Sequence, residues 1–225
     1  MSKYSTSDPA FEHWVDWVFN HPVTNPEWYQ SENAELWTAS AVTTLDYVTR
    51  LFETAPTHLR AFSDAQASQG LWFLAGSFFC DGLSRLFDQD VLNSQRQRCI
   101  GSIYKLYKEY LAVRCSPHLG HIAEPGANPL NQVCYMWWDF IYYNSILPED
   151  QCSSDVNLAL LSVMAKILEL NQDAGSESAL HGLGHWHRRC PERVTAIIDS
   201  FLTANPNLRP ELRDYALNAR SGCVL

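Results

Sequence analysis

The sequence predicts an all-α protein built from antiparallel helix pairs. Three observations carry that expectation. Apolar residues recur at i, i+3, i+4 and i+7 along most of the 225 residues, the spacing of one helical face. The β-branched alternation typical of strands is absent. The last fifty residues repeat one pattern: Ala179 and Ala216 open similar helices 37 residues apart, within the period range of helical solenoids.

The elements follow in order. Asp8-Pro9 is a helix start, and Phe11, Trp14, Val15 and Val18 form the first apolar stripe. His21-Pro22 and Asn25-Pro26 break the chain. Leu36, Val42, Leu45, Val48, Leu51 and Phe52 predict a long helix that Pro56 interrupts. Leu71 through Phe87 reads as one mostly buried helix. Ile100, Ile103, Tyr104, Tyr107 and Leu111 mark an amphipathic helix with Lys105, Lys108 and Glu109 outside. Leu158 to Leu170 is apolar nearly all round, which predicts the central helix. Val194, Ile197, Ile198, Phe201 and Leu202 form a further stripe, followed by Leu212 to Ala219. No domain linker is visible, so residues 1–225 are expected to form one domain.

Composition limits the function classes. The chain has 25 acidic and 16 basic residues, a net charge of −9. Phosphate backbones want a basic surface, so a nucleic-acid partner is not expected. No apolar run is long enough for a membrane span. Residues 1–64 hold nine acidic and three basic side chains, including Glu32 and Glu35. That excess predicts an electrostatic docking surface for a basic protein partner. The seven cysteines are odd in number and lack a C-x-x-C pair. With no apolar leader at the N-terminus, they are expected to be free thiols in a reducing, cytoplasmic setting.

Two histidine groups are candidate ligands. Cys115-x-x-His118-x-x-His121 lies in a loop over 115–129 carrying three prolines and two glycines. His181, His185 and His187 lie in His-Gly-Leu-Gly-His-Trp-His. On a helix, His181 and His185 share a side at i, i+4 beside Glu177, while His187 points more than about 100° away. The zincin pattern places Glu directly after the first His, and here that residue is Gly182. An exposed polar face on which His181 and His185 form a protein-contact surface is therefore expected, and no cofactor. A third group lies in the 132–143 helix. Tyr135, Trp138, Asp139 and Tyr142 fall at i, i+3, i+4 and i+7. Polar-tipped aromatics around one carboxylate are residue types of a protein-binding face.

The motif Ala179-Leu180-x-x-Leu183-Gly184, the Val194–Leu202 helix and Leu212-Arg213-x-x-Ala216-x-x-Ala219 together resemble a HEAT-like repeat of the short, lyase-associated kind, over 176–222. The resemblance implies a stacked α-α superhelix that serves as an interaction scaffold. With the charge and size, it leads to an expected function as a non-catalytic protein-binding protein, such as an immunity protein occluding a basic toxin site. The alternative is a metal-dependent hydrolase using His181 and His185 with help from the 115–129 loop.

Overall fold

A computed structural model describes residues 8–32, 34, 37–76, 82–144 and 152–224, without the side chains of 143 and 144. All regular structure among them is helical, as predicted. α1 spans Pro9–Phe19; the Asp8 carboxylate accepts from the Ala10 N–H, and Phe11, Trp14, Val15 and Val18 are buried. α2 spans Ala41–His58, capped by Ser40, and bends at Thr54 ahead of Pro56. Leu36 lies outside the described residues. α3 spans Asp64–Ala75 and opens with a capping box between Ser63 and Gln66.

Leu71 to Phe87 is not one helix. α3 ends at Ala75, and Leu83–Phe87 forms a separate 3₁₀ turn. The backbone at Gly82 lies so close to Leu74 that an added Cβ would stand 2.1 Å from its carbonyl oxygen. Only glycine permits that fold-back.

α4 spans Asn93–Leu106 and runs through a π turn at Tyr107–Leu111 into α5, Ala112–Arg114. α6 spans Pro129–Asn144, α7 Asp155–Leu168, α8 Asp173–His187, α9 Pro191–Ala204 and α10 Pro210–Arg220. The predicted connection over 115–129 is irregular until α6 begins.

α8 is the central helix, which corrects the expectation for Leu158–Leu170. It packs against α6, α7, α9 and α10. Every residue from Ala174 to Gly184 is buried, whereas α7 keeps Ser162 and Lys166 exposed. The reason is residue size. Gly175, Ser176, Ser178, Ala179, Gly182 and Gly184 let neighbouring helices and the C-terminal Val224 approach the α8 backbone, although they give it a weak apolar pattern. Trp138 of α6 packs on it at Gly182, and its own Trp186 is likewise fully buried. Further out, α6 also packs on α3, α4 on both α2 and α7, and α1 on α3.

The structure pairs Cys152 with Cys190, their Cα atoms 5.1 Å apart. This corrects the expectation of seven free thiols. Cys152 precedes α7 and Cys190 precedes α9, and both helices pack on α8, so residues 38 apart in sequence meet. Cys99, Cys115, Cys134 and Cys223 are free; Cys80 lies outside the described residues. No described helix is long and apolar enough to cross a membrane.

Candidate metal centre

The site forms where α6 packs on α8. His181 and His185 are one helical turn apart and project from the same side of α8. Gly182 brings that helix against its neighbours. A Cβ at 182 would stand 2.6 Å from Trp138 Cγ and 2.6 Å from Met164 Sδ. Asp139 on α6 can therefore reach both imidazoles. His181 Nε2 is 2.7 Å and His185 Nε2 3.0 Å from Asp139 Oδ1, and the two Nε2 atoms are 3.2 Å apart. Among the described residues this is the one grouping of three His, Cys, Asp or Glu ligand atoms close enough to share an ion. The His181 side chain is fully enclosed, while those of His185 and Asp139 each keep 15% exposure. The centre is thus sealed on one side and reaches solvent on the other.

Electrostatics favour an ionised carboxylate. Burial pushes the Asp139 carboxyl up, but hydrogen bonds from His181 and His185 outweigh it and bring the pKa down to about 2. The Tyr215 phenol is held well above its ordinary range by burial and by the neighbouring Tyr135 hydroxyl, so it stays neutral.

A ring of supports surrounds the three residues. His181 Nδ1 is 2.6 Å from the Tyr215 hydroxyl, which lies 3.2 Å from that of Tyr135. The His121 ring stacks on Tyr215 with centroids 4.2 Å apart. Glu177, one turn before His181 and 1% exposed, accepts from the backbone N–H groups of Gly120 and His121 at 2.8 and 2.9 Å. It also pairs with His121 Nδ1.

The donor set fits a divalent ion. At bonds of about 2.1 Å, adjacent ligands on an octahedral face are about 3.0 Å apart. Tetrahedral zinc at similar bond lengths would separate them by about 3.4 Å. The separations of 2.7, 3.0 and 3.2 Å are hydrogen-bond distances, short enough that small side-chain shifts would let one ion of either geometry contact all three atoms.

The structure joins two groups that the sequence kept apart, the histidine pair and Asp139 of the aromatic segment. It corrects the expected roles of several members. His181 does not lie on an exposed polar face, because α8 is enclosed. Trp138 is fully buried and stacks on Tyr107, and Tyr135 is 5% exposed over the His181 ring, so neither offers a docking face. Tyr142 is half-buried at the rim, 5.4 Å from the His185 ring and beneath the Arg189 guanidinium. In the 115–129 loop, His118 pairs with Ser116 and His121 with Glu177, and neither joins the Asp139 cluster. Glu32 is exposed, and Glu35 lies outside the described residues. Much of the N-terminal acidity is paired within the chain: Asp8 and Asp46 with Arg50, Glu53 with Arg98, and Asp64 with Arg114.

Sequence reasoning placed Glu177 on the histidine side of the helix but gave it no role, and it did not reach Tyr215. Glu177 stands at i−4 from His181, a usable signal. Tyr215 had none, because α10 meets α8 only through the fold.

Comparison with known protein families, with curated proteins and with solved structures gives no match.

Proposed function

We propose that the protein is a divalent-metal-dependent hydrolase with its centre at Asp139, His181 and His185. The observation that carries this reading is the convergence of one carboxylate oxygen and two imidazole nitrogens within 3.2 Å of one another. Three protein ligands on one face leave positions for water and substrate, and a bound ion lowers the pKa of its water toward about 7. Asp139 and His185 border solvent, so substrate would approach from their side. His181 anchors the centre from within.

The rival reading, a non-catalytic binder of a basic partner, loses support because several of its acids already meet arginines of the same chain. HEAT-like stacking over 176–222 is a proposal supported by the mutual packing of α8, α9 and α10.

The test combines metal content with turnover. Protein loaded with Mn(II), Fe(II), Co(II) or Zn(II) and desalted should retain about one equivalent of at least one ion. It should hydrolyse a member of a chromogenic ester and phosphoester panel, and chelator should abolish that activity. Asp139→Ala should lose both properties. Wild-type protein that retains none of the four ions would overturn the proposal.

A further inference from the structure

The 116–128 loop ties two helices together at the back of the metal centre. On one side, Glu177 of α8 accepts the Gly120 and His121 N–H groups. On the other, Arg209, the residue before α10, binds Glu124 at 2.9 Å and donates to the Pro117 carbonyl at 3.3 Å. The loop's own His121 then stacks on Tyr215, the α10 residue whose hydroxyl reaches His181 Nδ1. We infer that Tyr215 is a positioning residue for the metal centre and that the loop acts on metal affinity through it.

This inference rests on the metal reading above. The physical reason is the hydrogen count around His181. A histidine that ligates through Nε2 carries its proton on Nδ1, and that proton needs an acceptor. The His181 side chain has no solvent exposure, so water cannot take the role. The Tyr215 oxygen is the acceptor within reach, and its own hydrogen can then point at the Tyr135 oxygen. Tyr215 thereby accommodates the Nδ1–H tautomer that ligation through Nε2 requires, and it fixes the ring angle that aims Nε2 at Asp139 and His185. The stacked His121 ring fixes the phenol in turn. Linkage requires the converse: an ion that favours this arrangement must also favour the docked loop.

Co(II) titration followed by calorimetry and visible absorption tests this on the full chain. Tyr215→Phe keeps the ring and removes only the acceptor. Its Kd for Co(II) should rise about 10- to 100-fold, as for other lost supports of metal ligands. His121→Ala leaves the acceptor but frees the phenol, and should raise Kd at least about fivefold, the low end of measured coupling. Tyr110→Phe, in the 107–111 turn, removes a buried hydroxyl with no hydrogen-bond partner among the described residues, and should leave Kd unchanged. Co(II) should also slow proteolytic cleavage of the loop in wild type and lose that effect in His121→Ala. If wild type binds Co(II) and Tyr215→Phe binds within twofold of it, the positioning role is wrong. Should Tyr215→Phe unfold, His121→Ala decides instead: a Kd equal to that of wild type would overturn the inference. Wild-type protein that binds no Co(II) would remove the metal reading itself.

Discussion

Alanine placed at two glycines should move stability in opposite directions. At Gly182 the new Cβ would lie 2.6 Å from Trp138 Cγ, 2.9 Å from Trp138 Cδ1 and 2.6 Å from Met164 Sδ. Met164 can flex, but the indole is fully buried and has nowhere to go. Overpacking of this kind costs about 1–3 kcal/mol. Better helix propensity returns up to about 1 kcal/mol. Because the indole cannot move, the cost falls in the upper part of that range, about 2–3 kcal/mol, so the net should be a loss of about 1–3 kcal/mol, which for a chain of this length lowers Tm by about 2–12 °C. Gly101 on α4 is exposed, and a Cβ there meets nothing within 4 Å. Gly101→Ala should therefore gain about 0.5–1 kcal/mol and raise Tm by about 1–4 °C. Thermal and urea unfolding of both variants checks the pair. A Gly182→Ala protein as stable as wild type would mean that α6 and α8 do not meet at Trp138, and the geometry that brings Asp139 to His181 would fall with it.

Three further outcomes are expected. Phe201→Ala, at a buried position of α9, should cost about 3–5 kcal/mol and lower Tm by at least 6 °C or so; a shift of a degree or less would show that α9 is not packed on α8 as described. The Arg209 guanidinium holds the Glu124 carboxyl at about 2, below its ordinary 4.5, so its stabilising contribution should be complete above about pH 5 and fade as pH falls toward 2; urea midpoints of wild type and Glu124→Gln should differ at pH 6 and converge near pH 2, and a gap that is unchanged at pH 2 would contradict the pairing. Peptide mapping of oxidised, alkylated protein should recover Cys152 and Cys190 in one cross-linked species that reductant dissolves, and recovery of both as alkylated thiols would contradict the pairing.

Helices with a strong apolar stripe were legible in the sequence. α1, α9 and α10 match their predicted patterns, because each buries one face and leaves the other wet. The central helix was not legible, and the reason is physical. α8 owes its central place to small residues that admit other helices, and small residues contribute little to an apolar period. The same property hid the site. Gly182 stands where a zincin would carry its glutamate, so the motif looked incomplete. In the fold that glycine supplies the close approach that lets Asp139 come in from α6. The i, i+4 histidine pair was visible at once, but its third member lay 42 residues upstream in an aromatic segment whose pattern pointed to a surface. Tyr215 and the Glu177–His121 clamp depend on contacts across 34 and 56 residues that no local pattern encodes.

The most direct test is a crystal of the protein soaked in Co(II), with data collected across the cobalt absorption edge. The proposed centre predicts one strong anomalous peak within about 2.0–2.2 Å of Asp139 Oδ1, His181 Nε2 and His185 Nε2. An ion found only elsewhere on the molecule, with Asp139 still hydrogen-bonded to both histidines, would contradict it.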